Sequence, residues 1–178
     1  PSGISYHGFE PRRIDGVRPR CSDIYVYFKH EEQGIGAEFA RQLMAHLEAM
    51  AHDDRVRVII LSGNGPAFCA GHDLKELRGD ATPAFYAKVF ALCSRVMLAL
   101  TDMPRPVIAE VHGIATAAGC QLVAMCDLAV AARDARFAVS GVNLGLFCST
   151  PSVALSRNLS RKAAFEMLVT GDFISAEE

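Results

Sequence analysis

Val107-Ile-Ala-Glu-Val111-His-Gly113-Ile-Ala-Thr-Ala-Ala-Gly119-Cys-Gln121-Leu-Val-Ala-Met-Cys126-Asp127-Leu-Ala-Val-Ala131 is the stretch on which the fold turns. Val107–Val111 is a β-branched run of strand length, set off by Met103-Pro-Arg-Pro, whose prolines break the preceding helical pattern. The segment from Gly113 to Gly119 is made of small residues and reads as a turn leading into a helix over Cys120–Cys126. Leu128–Ala131 reads as the next strand. Strands alternating with helices in this way indicate an α/β chain.

Working outward toward the N-terminus, Pro83 opens a helix that runs to Asp102 and carries Phe85, Val89, Leu92, Val96 and Leu100 on one face. Ser62–Gly71 is a glycine-punctuated loop, and Val56–Leu61 a β-branched strand. From Ala37 to about Asp53, Phe39, Leu43, Leu47 and Met50 recur at helical spacing. Ile24–Phe28 reads as a short strand, Lys29–Gly36 as a polar turn, and residues 1–20 have no clean period. Toward the C-terminus, helices are expected over Ser152–Leu159 and Arg161–Val169. Ser175-Ala-Glu-Glu178 matches a capping box, so a further helix is expected to start there and the chain reads as cut at its beginning. No fixed sequence period marks an internal repeat.

The bulk properties narrow the class of protein. A chain of 178 residues suits one domain, and 51% apolar with 21% charged residues is ordinary for a soluble globular protein. A net charge of -2 offers no field for nucleic acid or a membrane surface, and neither is expected as a partner. No apolar run approaches the length needed to span a bilayer. The six cysteines form no C-x-x-C pair and several lie in apolar stretches, which suits reduced thiols in a cytosol-like compartment. Arg12, Arg13, Arg18 and Arg20 have the flavour of a mitochondrial transit peptide, but Glu10, Asp15 and two prolines spoil the pattern. The expected location is cytoplasmic, with the mitochondrial matrix as the alternative.

Three stretches carry chemistry: Ala67-Phe-Cys-Ala-Gly71-His-Asp-Leu-Lys-Glu-Leu77; Val107–Gly113 running through Ala117-Ala-Gly-Cys-Gln121 to Asp127; and Phe137-Ala-Val-Ser-Gly141-Val-Asn-Leu-Gly145, followed by Glu166–Glu178. In order and spacing they resemble the crotonase (enoyl-CoA hydratase/isomerase) superfamily over Ala37–Glu178. The resemblance implies a spiral of ββα units whose C-terminal helical region is missing here, with a crotonase-like acyl-CoA-binding core at 37–178 after a divergent segment at 1–36. It implies an acyl-CoA thioester as partner, CoA entering as part of the substrate with no separate cofactor and no metal, and a homo-oligomer, trimer or hexamer. It also implies two backbone N–H groups, those of His72 and Ala118, on the thioester oxygen. For Ala118 the physics is independent of the family, because a helix N-terminus offers unpaired N–H groups to a developing negative charge. The CoA end is expected along Phe68–Lys75, with Phe68, Ala70, Asp73, Leu74 and Lys75 as contacts and Lys75 a phosphate contact or simply a solvated lysine. Asp73 also reads as the cap of a helix starting at Leu74.

The sequence departs from the family at the positions of its two catalytic glutamates, which here are Gln121 and Gly141. Neither side chain can shuttle a proton, and each lost acid or base costs a rate factor of about 10²–10⁴. Glutamates restored at both positions are expected to raise hydration, provided the backbone near Gly141 tolerates a side chain. Residues 27–36 also lack the family's L-N-R-P-x-x-x-N-A-L stretch. Three functions remain open: a hydratase by resemblance; an acyl-CoA decarboxylase or thioesterase that keeps the oxyanion donors; or a non-catalytic acyl-CoA-binding subunit. Among possible substitutes, His72 lines the site through its backbone but reads more readily as a surface histidine. His112 reads as structural, Asp127 as making a local hydrogen bond, Glu110 as a buried partner for an arginine, and Cys148 and Ser149 as remote candidates for a nucleophile.

Overall fold

A computed structural model describes residues 24–29 and 36–178. The readings made for residues 1–23 and 30–35, including the arginine-rich start and the polar turn, lie outside the described residues. Strands β1 (Ile24–Lys29), β2 (Ile59–Asn64), β3 (Val107–Val111) and β5 (Leu128–Ala131) form one sheet in the order β1-β2-β3-β5, every pair parallel. A smaller sheet holds β4 (Ile114–Thr116), β6 (Arg136–Ala138) and β7 (Ile174–Ser175); β4 and β6 are parallel, β6 and β7 antiparallel.

The chain repeats one path: a strand in the large sheet, a strand in the small one, then a helix. β3, β4 and helix α4 (Ala118–Met125) make one such turn. β5 and β6, followed by a 3-10 turn (Ser140–Leu144) and helix α5 (Ser149–Asn158), make the next. In the first turn β2 is followed by a single bridging residue, Cys69, paired in parallel with Ala115, and then by α2 (Leu74–Gly79) and α3 (Pro83–Thr101). The ββα unit is therefore present, although the unequal loops and helices between units leave no sequence period.

Parallel strands buried on both faces need apolar cover from helices. It comes from α1 (Gly36–Ala51), which buries Leu43, Met44, Leu47 and Met50, and from Val96 and Leu100 of α3; these pack with Ile59, Leu61, Val107, Ala109 and Val111. A second cluster joins Cys120, Val139, Cys148 and Leu155 to Ala164, Met167 and Leu168 of α6 (Arg161–Thr170). Leu43, Leu47 and Met50 of α1 and Val96 and Leu100 of α3 fall on the faces that the sequence period marks.

Three expectations change. The strand expected at Val56–Leu61 begins three residues later. Val56 is fully buried, but its carbonyl accepts from Arg105 Nε at 2.8 Å, and pairing opens where Ile59 N–H meets the Pro106 carbonyl at 2.9 Å. The turn expected at Gly113–Gly119 contains β4, with Ala115 wholly buried. Ser175 is also the last residue of β7, and its N–H donates to Glu178 Oε2 at 2.7 Å, one of the two hydrogen bonds of the anticipated capping box. Finally, α3 is long and apolar enough to cross a bilayer by length and composition, contrary to the expectation that no run is; here it packs on α1 and buries Val89, Val96, Met97 and Leu100.

Candidate active site

The site forms where the loop after β2 meets the start of α4. Cys69 N–H donates to the Ile114 carbonyl at 3.1 Å and Thr116 N–H to the Cys69 carbonyl at 2.9 Å, so the loop lies as an extra strand along β4. Two glycines permit this approach. A Cβ on Gly119 would collide with the Cys69 carbonyl. One on Gly71 would lie 3.1 Å from Ala117 Cβ and 3.2 Å from Ala118 N, and Gly71 also has φ +94°, which side chains rarely adopt. The two expected donors, His72 N–H next to Gly71 and Ala118 N–H across from it, are thus brought to one place. Neither has a hydrogen-bond partner among the described residues. His112 lies 2.8 Å through Nε2 from the Gly65 carbonyl and so holds the far end of this loop, the structural role expected of it.

Ala117, which precedes α4, is strained. It has φ 52° and ψ -119°, and it is the only described residue other than glycine with positive φ. Such a conformation costs on the order of 1–3 kcal/mol and recurs at functional sites. Its N–H is tied to the Ala138 carbonyl at 2.9 Å and its carbonyl accepts from Gln121 N–H at 3.1 Å, which holds the sharp turn that exposes Ala118 N–H. Nothing in the composition of the stretch announces this. Nor does sequence reading single out the hydroxyl pair Thr116 Oγ1 and Ser140 Oγ, 3.2 Å apart where β4 and β6 end; Ile114 and Thr116, β-branched among alanines, are the missed signal for β4.

The two altered positions are both buried. Gln121 is 6% exposed, and its Oε1 has no hydrogen-bond partner among the described residues. Burying an amide oxygen in that state costs about 1–3 kcal/mol. Gly141 lies in the 3-10 turn, and a Cβ there would meet the Leu146 carbonyl oxygen and stand 2.6 Å from Cys148 Sγ. Position 141 therefore cannot take a side chain as the backbone stands.

His72 is not a surface histidine. Its ring packs edge-on against Phe90 of α3 with centroids 5.2 Å apart, and burial pushes its pKa down, opposed in part by Glu76. Asp73 caps α2 as expected, accepting from Lys75 N–H at 2.7 Å and Glu76 N–H at 3.2 Å. Ala70, Leu74 and Lys75 are exposed and open to a ligand. Phe68 is not: its side chain is 6% exposed and belongs to the main core, leaving only its backbone on the loop.

Three further readings are corrected. Glu110 is exposed and makes no ion pair among the described residues, because alternate positions of β3 face outward. Asp127 reaches well beyond its own neighbourhood: its Oδ2 accepts from Val107 N–H at 2.7 Å and its N–H donates to the Val107 carbonyl at 2.9 Å, locking β5 beside β3. Cys148 is buried against Gly141. The five described cysteines are free thiols, and burial raises Cys69, Cys93 to about 11, and Cys120 and Cys126 to about 12, so these four stay protonated. Among the described residues no group of three or more His, Cys, Asp or Glu could hold a metal ion.

A spiral of ββα units with helix-terminal N–H groups facing a glycine loop defines a crotonase-type fold. The family model for enoyl-CoA hydratase/isomerase matches residues 28–178, and the chain belongs to that family. It is 44% identical over 183 residues to human "Enoyl-CoA hydratase domain-containing protein 3, mitochondrial", covering all of this chain and 59% of the relative. The crystal structure of that human protein superposes with a TM-score of 0.78 at 45% identity, covering 94% of this chain and 64% of that one. An enoyl-CoA hydratase structure from Mycobacterium smegmatis gives a TM-score of 0.81 at 55% identity, over 90% of this chain and 63% of that one. The chain spans a little over half the length of the curated relatives it matches.

Proposed function

We propose that this enoyl-CoA hydratase-like chain binds an acyl-CoA thioester and stabilises negative charge on its carbonyl oxygen through the N–H groups of His72 and Ala118, without being a competent hydratase. The observation that carries the reading is the approach of the Gly71 loop to Ala118 N, with neither N–H group bonded to another partner among the described residues. Two such donors in a low-dielectric site contribute a few kcal/mol, about 2.7–4 each. The relatives' names support an enoyl-CoA or related thioester as ligand, with CoA arriving on the substrate and no separate cofactor. The exposed Ala70, Leu74 and Lys75 are the CoA contacts, Lys75 as a point charge for phosphate. The proposed location is mitochondrial, after the relatives' names; the cytoplasmic expectation finds no support. A homo-oligomer belongs to the same proposal.

Hydration needs a water activated by one carboxyl group and a proton delivered by another. An amide at Gln121 and a crowded glycine at Gly141 supply neither. The test is Ala118→Pro, which removes the N–H at the first helical position, where proline is accommodated. Calorimetry should find thioester affinity reduced at least tenfold with free CoA bound as before, in a variant whose circular dichroism is unchanged. Equal thioester affinity in a folded variant would remove Ala118 from the oxyanion site.

A further inference from the structure

Gln121 Oε1 is the one buried side-chain polar atom without a partner among the described residues, in a residue 94% buried by its 6% exposure. Buried amide oxygens in folded proteins are met by a donor from protein, water or ligand. Helix geometry sets this residue beside the first turn of α4. Side chains of an α-helix lean toward its N-terminus, so the fourth residue of α4 covers the first turn, where Ala118 N–H lies. Gln121 N–H donates to the carbonyl of the strained Ala117, which fixes the residue one turn from the Gly71 contact. An amide oxygen accepts a hydrogen bond and does not titrate near neutral pH. The partner it suits is a small neutral donor, and water fits that description.

We propose, on the basis of the thioester-binding reading above, that Gln121 holds a water molecule beside the thioester carbonyl and that the site uses it to hydrolyse acyl-CoA. The water oxygen bonds to the carbonyl carbon, and the carbonyl π pair moves onto the oxygen held by the His72 and Ala118 N–H groups. On collapse the C–S bond breaks and its electron pair leaves with sulfur. One water proton ends on the departing sulfur as CoA thiol; the other ionises from the carboxylic acid into solvent. Gln121 orients the water and exchanges no proton. Cys120, its neighbour in α4, has its thiol pushed up to about 12 by burial and does not compete as a thiolate.

Butyryl-CoA tests this, since it has no double bond to hydrate and no carboxylate to lose. The 178-residue chain is incubated with it in ¹⁸O-labelled water; free thiol is followed by a colour reagent and butyrate by mass spectrometry. We expect one ¹⁸O per butyrate formed and CoA release at least tenfold above a protein-free control. Gln121→Leu, which fills the same space without the acceptor, should lower kcat at least tenfold with KM unchanged and a melting temperature no lower; Gln121→Met serves if the leucine variant does not fold. Butyryl-CoA that binds by calorimetry but is not cleaved, or cleavage at the wild-type rate by a folded Gln121→Leu, overturns the water proposal and leaves the binding reading standing. Release of CO₂ from methylmalonyl-CoA with butyryl-CoA untouched overturns it in favour of decarboxylation. No binding of butyryl-CoA defeats both.

Discussion

A Cβ built at Gly141 meets the Leu146 carbonyl oxygen and stands 2.6 Å from Cys148 Sγ, and this contact decides what substitution can restore. From the sequence, glutamates at 121 and 141 would be expected to raise hydration. The packing predicts otherwise: a side chain at 141 must displace backbone at Leu146, and such overpacking costs about 1–3 kcal/mol. The Gln121→Glu, Gly141→Glu double variant should therefore melt lower and show no gain in crotonyl-CoA hydration, followed by loss of enoyl absorbance; a gain at unchanged stability would show that the turn opens freely. His72 carries a pH prediction. Its folded pKa lies below the ordinary value of 6.5 because burial against Phe90 disfavours the imidazolium. The unfolded chain therefore takes up this proton first, so the His72 contribution is fully present above about pH 6.5 and is lost as pH falls through the lower folded value. Thermal melts from pH 7.5 to 5 should fall less steeply for His72→Gln than for the wild type. Parallel curves would locate the acid sensitivity elsewhere.

At the scale of elements, α4 is held in place by strain as much as by pattern. Ala117 sits at φ 52° and ψ -119°, where a Cβ is costly and glycine is at ease. Ala117→Gly should relieve on the order of 1–3 kcal/mol of strain, less about 0.5–1 for the entropy of the added glycine. The expected net gain, about 1 kcal/mol, corresponds to a rise of about 2–4 °C in melting temperature for a chain of this size. Differential scanning calorimetry checks it; a lower melting temperature would mean that the methyl group's packing outweighs the strain. The periodic elements were legible in advance because their residues repeat at a spacing that only one geometry satisfies: α1, α3, β3 and β5 appear where apolar spacing or β-branching places them. β4 was not, since three residues among alanines and glycines make no periodic signal, and it exists only because the Cys69 segment and β6 pair with it on either side.

Across the whole molecule, apolar surface is left open along β5, α5 and α6. All four residues of β5 are exposed, with Leu128 at 61% and Val130 at 64%, and β5 is an edge of its sheet. Phe165 at 67% and Val153 at 50% add to the open surface. An exposed apolar edge strand is a template for pairing with another chain. Light scattering of the 178-residue chain should register association that rises with concentration. Leu128→Lys with Val130→Lys should reduce it while leaving the melting transition in place. A monodisperse wild type at high concentration would contradict this, as would association that the two lysines do not alter.

The residues by themselves determined the α/β class, the family resemblance, most helices and strands, and the place of Gly71, Ala118, Gln121 and Gly141 in the motifs, because motif order and apolar period are local properties of a chain. They also put a glutamine at 121 and a glycine at 141, where the family resemblance implies glutamates. Tertiary structure decided the rest. It turned His72 onto Phe90, put Phe68 in the core and carried Asp127 across to Val107, each a contact between separate segments of the chain, and it left Glu110 exposed. It closed position 141 with Leu146 and Cys148 and left Gln121 Oε1 buried without a partner among the described residues. Sequence spacing carries no information about which distant backbone fills the space beside a residue, and that space determines whether a side chain fits and whether a polar atom is satisfied.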